Sequence, residues 1–221
     1  ADVNIKPAGG QGNHVTFIVR IDDTDYFARV EDGPEGDDYI EVESRILKEV
    51  GRLGISTPGV LAVDASRGTV PFAWQVMDLI EAPDLNQLLK RGELVLEDVA
   101  EDIGRAVGRW QTLHPPGFGL FSPQILRQED RLEGFHADYA HYFNQHLERH
   151  VEHLHAKRFL SHRFAKDILA EIRRHSALLQ LEQGCLVHKD LNLFSGFSCQ
   201  DWHVALQWIT CYCRACGGMW I

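Results

Sequence analysis

In Cys185-Leu186-Val187-His188-Lys189-Asp190-Leu191-Asn192-Leu193, a short apolar run delivers a histidine and a carboxylate two residues apart. A His-x-Asp-Leu sequence in that setting has the form of a loop whose aspartate accepts the proton of an attacking hydroxyl. Two further groups of residues have chemistry within reach. Cys211-x-Cys213-x-x-Cys216, with Cys199 and His203 upstream, holds enough soft ligands for zinc, though not in the paired Cys-x-x-Cys spacing of a zinc ribbon. Seven histidines lie between His136 and His162, and His146 and His150 stand at i, i+4, a spacing able to hold a metal on a helix. No Glu of a His-Glu-x-x-His motif accompanies them, and His150 falls within the stripe of Phe143, Leu147 and Val151. We read the cysteines as an accident of an unusual tail and the histidines as partly buried helix residues.

Those residues need a folded frame, and the composition supplies one. The 221 residues are 44% hydrophobic and 24% charged, the balance of a globular chain of one large domain or two small ones. A net charge of −10 argues against a nucleic-acid backbone or an anionic membrane as the main partner. Apolar runs are short and broken by charge, and Asp2 and Lys6 interrupt the place where a signal peptide would begin. Five cysteines do not suggest a disulfide framework. The expectation is a cytoplasmic protein with no membrane and no nucleic-acid partner.

The period of the apolar residues changes along the chain. Gly9-Gly10-Gln11-Gly12-Asn13 is a turn cluster, followed by the alternation of Val15, Phe17 and Val19 in a half-buried strand over His14–Ile21. Asp22 to Asp25 make a hairpin turn and Tyr26–Val30 the return strand. Val42, Ile46, Val50 and Leu53 then recur at helical spacing, with Gly51 and Gly54 as stops. Val60–Val63 and Phe72–Leu79 complete about four strands and one helix. From Asp84 onward helices dominate: Leu85 to Leu89; Leu96 to Leu113; a single helix lined by Tyr139, Phe143, Leu147, Val151 and Leu154; and one carrying Phe164, Ile168, Leu169 and Ile172. The fold class is α+β with two lobes, strands first and helices second. The divisions fall at residues 1–80, 81–194 and an atypical tail at 195–221.

At this point the sequence resembles the aminoglycoside phosphotransferase and choline-kinase-like family, small-molecule kinases with the protein-kinase fold, from about Gly9 to Phe194. The resemblance implies that Gly9, Gly10, Gly12 and Asn13 belong to a loop over the ATP phosphates, where missing side chains let backbone N–H groups approach the anion. It implies that Arg29, in Phe27-Ala28-Arg29-Val30, is the third-strand cation that touches those phosphates, paired with Glu43 on the following helix. Met77, Asp78 and Leu79, within Gln75-Val76-Met77-Asp78-Leu79-Ile80, match the hinge that hydrogen-bonds adenine. Leu113-His114 and Gly117-Phe118-Gly119 match a further family stretch. Asp190 becomes the catalytic base, with His188 ahead of it in the same loop.

Two positions depart from the pattern. Ser195 stands where the family has a metal-binding Asn, and Gln207, in Ala205-Leu206-Gln207-Trp208, where it has an Asp. A hydroxyl and a neutral amide are poor ligands for Mg²⁺, a hard cation that favours carboxylates. Both lie in a stretch whose only charged residues after Leu193 are Asp201 and Arg214, and which holds four of the five cysteines. The reading is of a C-terminal part truncated or altered after about residue 194; if it is a displaced reading frame, it should form no regular element with a matching apolar face. The implied activity is transfer of the γ-phosphate of ATP, with Mg²⁺, to a hydroxyl of a small molecule; the acidic balance suits a cationic or neutral acceptor. The alternatives are a catalytically impaired nucleotide-binding homologue and a zinc-dependent interaction module at the tail.

Overall fold

Alternating apolar residues separated by a two-residue polar turn demand a hairpin, and that hairpin starts the central sheet. In the computed structural model the described residues are 2–9, 14–32, 36, 38–188 and 191, together with the backbone of three short strands at 196–198, 204–206 and 211–215. Strands β1 (Val3–Pro7), β2 (His14–Ile21) and β3 (Thr24–Glu31) form a meander, with Ile21 opposite Thr24 across the Asp22-Asp23 turn. Asp22 takes the left-handed conformation, φ 54°, that such a turn requires and that Asp tolerates better than most residues. Helix α1 (Tyr39–Arg52) follows, then β4 (Val60–Asp64) and β5 (Trp74–Asp78). The antiparallel sheet has the order β1-β2-β3-β5-β4, which puts β3 at its centre. One strand more is present than the periodicity indicated: β1 is an exposed edge strand with no buried face to impose alternation.

Helix α1 ends at Arg52; Gly51 is still helical, and Gly54 at φ +74° makes the turn. Helices α2 (Leu85–Arg91) and α3 (Leu96–Trp110) come next. Asp84 caps α2 by accepting a hydrogen bond from the Gln87 N–H at 2.7 Å, and Gly92 ends it in the left-handed conformation. Between α3 and the later helices lie β6 (Phe118–Phe121), α4 (Pro123–Glu129) and β7 (Gly134–His136), which the apolar periodicity did not announce. The signal for α4 was present in its cap, Ser122 followed by Pro123, but the helix buries no apolar stripe.

The single helix expected over residues 139–154 is two, α5 (Tyr139–Asn144) and α6 (Leu147–Ala156). Its apolar residues serve two surfaces. Tyr139 packs against Phe118 of β6 with ring centroids 5.7 Å apart, while α6 lies along α7 (His162–Arg174). A straight helix cannot present one stripe to both. A 3₁₀ turn (Ser176–Leu179) leads to β8 (Gly184–His188).

Beyond it the backbone forms β9 (Gly196–Ser198), β10 (Val204–Leu206) and β11 (Cys211–Ala215), and β11 pairs with both β6 and β8. The backbone is thus regular in this stretch, whereas the expectation that no element there carries a matching apolar face concerns side chains outside the described residues. Strand pairing satisfies backbone N–H and C=O groups whatever the side chains, and β6 and β8 offer edges to a segment between them. Cys185 of β8 is disulfide-bonded, although the cysteine count suggested no disulfides.

The core runs through α1. Val42, Ile46, Leu47 and Val50 join Leu85 of α2, Val99 and Trp110 of α3, Phe121 of β6 and Leu186 of β8 in one buried cluster. Ile40, at the start of the same helix, packs instead with Ala65 and Ala73 beside the sheet. Helix α1 is thus held between the sheet and the helical lobe, and burial of its apolar face is the main force placing it. This is the two-lobed α+β architecture. Among the described residues no helix is long and apolar enough to cross a membrane.

Candidate functional site

Alternation along β3 sends Phe27, Arg29 and Glu31 to one face; the register sets Met77 and Gln75 of β5 opposite the first two, and the Glu31 N–H donates to the carbonyl of Ala73, just ahead of β5. Helix α1 covers that face. Arg29 is therefore almost wholly buried, 2% exposed, in the middle of the central strand. A guanidinium in such a place is costly unless its charge and N–H groups are matched. Arg29 donates from one terminal nitrogen to Glu43 Oε2 at 2.6 Å, and from Nε to Gln75 Oε1 at 2.8 Å. Glu43, on α1 at the boundary of the covered face, keeps 15% of its side chain exposed. The expected partnership of Arg29 and Glu43 is thus present as a buried ion pair joining sheet and helix.

Gln75 and Ser44 were not singled out in the sequence. The Gln75 amide donates to Ser44 Oγ at 2.6 Å, and that hydroxyl donates to the Ile40 carbonyl at 2.8 Å. Nothing local in the sequence marks them: Gln75 lies 46 residues from Arg29 and 31 from Ser44. Only the strand register could have shown the first contact.

The far face of α1 is tied down by charge. Arg127 of α4 donates to Glu41 at 2.6 Å and to Asp38 at 2.9 Å, linking the helical lobe to the first turn of α1. Arg67, in the β4–β5 connection, donates to Asp38 at 2.7 Å and grips Glu31 with both Nε and a terminal nitrogen. Arg45 of α1 reaches the side chain and carbonyl of Asp130 at the end of α4. The hydrogen bond from Arg67, and then that from Arg127, hold the Asp38 carboxyl below the usual carboxylate range. Three arginines thus set the position of the helix that carries Glu43.

Of the hinge residues, Met77 is buried on the face that α1 covers. The Asp78 N–H donates to the Gly59 carbonyl at 2.9 Å, and the Gly59 N–H to Asp78 Oδ2 at 2.8 Å. Both groups of Asp78 thus bind β4's approach, and Leu79 is the residue just past the strand. A Cβ on Gly59 would lie 2.6 Å from Asp78 Oδ2, so the close approach favours glycine there.

His188 ends β8, its ring tilted against Trp110 of α3 with centroids 6.2 Å apart. The Leu113-His114 stretch positions that strand: the Leu186 N–H donates to the Leu113 carbonyl at 2.9 Å, and His114 Nδ1 bonds the Gly184 carbonyl at 2.8 Å. Gly9, at the start of the expected phosphate loop, has open space where a side chain would stand. Gly10, Gly12, Asn13, Asp190, Ser195 and Gln207 lie outside the described residues. So do the side chains of Cys199, His203 and the Cys211 cluster. Among the described residues no group of three or more His, Cys, Asp and Glu is placed to hold a metal. The expectation of partly buried helix histidines fails at this pair: His146, just ahead of α6, and His150 are both exposed, with rings 5.8 Å apart, because the buried side of α6 is carried by Val151.

Comparison with known proteins agrees with this arrangement. Residues 4–195 match the model of the phosphotransferase enzyme family. No protein among curated sequences matches the chain significantly. Among solved structures it is similar to a thermostable mutant of aminoglycoside phosphotransferase APH(4)-Ia, in ternary complex with AMP-PNP and hygromycin B: TM-score 0.65 and 12% identity over 96% of this chain and 69% of that one. It is also similar to a protein assigned as fructosamine-3-kinase from Haemophilus somnus 129PT, with TM-score 0.60 and 10% identity over 96% and 68% of the two chains. At such identities the likeness establishes a shared fold.

Proposed function

Because the chain belongs to the phosphotransferase enzyme family, we propose that it transfers the γ-phosphate of ATP to a hydroxyl of a small molecule. The buried Arg29–Glu43 pair carries this reading: the sheet holds a charge-paired guanidinium at its centre, where a surface position would have sufficed for solubility. In this reading Arg29 grips the nucleotide phosphates. The loop of Gly9, Gly10, Gly12 and Asn13 covers them with backbone N–H groups, and the hinge at Met77, Asp78 and Leu79 receives adenine, with Leu79 offering the backbone beyond the strand. Asp190, preceded by His188, takes the acceptor proton as the hydroxyl oxygen bonds to the γ-phosphorus and the bond to the bridging oxygen breaks, releasing ADP. The acceptor is cationic or neutral, in keeping with the net charge of −10.

Ser195 and Gln207 do not fit Mg²⁺ at the positions where the family holds it, so no step is assigned to the metal here. That mismatch favours a second reading, a nucleotide-binding homologue with impaired catalysis. Two measurements separate them. Calorimetry with ATP tests binding, which both readings require. Release of ADP in the presence of hydroxyl-bearing amines tests transfer, and Asp190→Asn should abolish it if the first reading holds. Absence of ATP binding by folded protein rejects both.

A further inference from the structure

Two arms run from α1 to the Arg29 guanidinium: one is Glu43, and the other passes through β5. The second runs from the Ile40 carbonyl through Ser44 Oγ to the Gln75 amide and on to Arg29 Nε. Each link has a settled direction. Ser44, inside a helix, donates its proton to the carbonyl one turn back, a bond serine makes readily. Its oxygen must then accept, so it receives the Gln75 NH₂ group. The Gln75 carbonyl oxygen is thereby turned toward Arg29. Gln75 is wholly buried and Ser44 is 6% exposed, so water does not compete for either. We propose that Gln75 and Ser44 are positioning residues that aim the Arg29 guanidinium at the nucleotide phosphates.

The physical reason lies in the shape of the group. A guanidinium is a rigid planar fork, and one contact at a terminal nitrogen leaves it free to pivot about that contact. A second contact at Nε, on another edge of the plane, fixes its orientation. Glu43 alone supplies charge balance; Gln75 adds direction. The device also favours arginine over lysine at position 29, because an ammonium has no second, separately placed nitrogen to meet Gln75.

This inference rests on the proposed reading of Arg29 as the phosphate grip, and the test separates the two. Calorimetry is run on the full chain with ATP and with adenosine, which lacks the phosphates. Wild-type protein should bind ATP more tightly than adenosine. In Gln75→Leu the dissociation constant for ATP should rise roughly tenfold, the loss of one charge-assisted contact, while that for adenosine stays within about twofold. Ser44→Ala, which frees the Gln75 amide to turn, should show the same ATP-selective loss at about threefold, and it serves should Gln75→Leu fail to fold. Equal weakening toward ATP and adenosine would mean general loosening of the lobe and would overturn the inference. Unchanged affinity for both ligands would overturn it too. A wild-type chain with no preference for ATP over adenosine would remove the reading of Arg29 itself, and this inference with it.

Discussion

Removing the Glu43 carboxylate is the sharpest perturbation of the pair at the centre of the sheet. Glu43→Ala leaves a guanidinium that is 2% exposed with a neutral amide at 2.8 Å in place of its nearest carboxylate at 2.6 Å. Breaking a buried pair from one side costs about 3–5 kcal/mol, since the remaining charge loses its counter-charge and gains no water in exchange. Gln75 still accepts one N–H, so the low end, about 3 kcal/mol, is expected. Urea unfolding followed by far-ultraviolet circular dichroism reads it. With a slope near 2 kcal/mol per molar, the midpoint should fall by about 1.5 M. An internal comparison is available at Glu101, whose pair with Arg105 has side chains 76% and 58% exposed. Glu101→Ala should cost less than about 1 kcal/mol. The double change Arg29→Met, Glu43→Leu should cost less than the two single changes summed, because the two residues contact each other and the pair is removed as a unit. If Glu43→Ala and Glu101→Ala shift the midpoint equally, burial does not govern this pair and the reasoning fails.

Three further outcomes follow from the same geometry. The Asp38 carboxyl is held low by Arg67 and then Arg127, so its contribution is complete above the unfolded value near about pH 4 and is lost as pH falls through the lower folded value. Asp38→Asn should therefore flatten the fall of the urea midpoint with acidification, and an unaltered pH profile would refute the linkage. In Gly134→Ala the new Cβ would run into the Phe118 nitrogen and sit 2.6 Å from its carbonyl oxygen, a backbone clash that no rotamer relieves. It should cost more than about 2 kcal/mol by urea unfolding, whereas Gly104→Ala, with open space at its Cβ, should be neutral or stabilising by up to about 1 kcal/mol. Phe159 and Leu178 are 77% and 73% exposed, so Phe159→Ser with Leu178→Ser should raise the concentration at which the protein precipitates while moving the urea midpoint little.

The sequence by itself determined the elements whose apolar residues face a single partner. Val42, Ile46 and Val50 recur at helical spacing because one face of α1 meets one core, and the alternation of Val15, Phe17 and Val19 marks β2 in the same way. The resemblance to the phosphotransferase family, carried by the order of its motifs, also implied Arg29 and Glu43 as partners, and both lie in elements close in sequence. Tertiary structure alone decided the rest. The stripe from Tyr139 to Leu154 divides between β6 and α7, and periodicity records a stripe but not how many surfaces it meets. Gln75 and Ser44 enter the site through strand register and helix docking, across 46 and 31 residues. Arg127 reaches Asp38 across 89 residues. Hydrogen bonds and ion pairs depend on the direction of individual atoms, and that direction exists only once α1 lies between the sheet and the helical lobe.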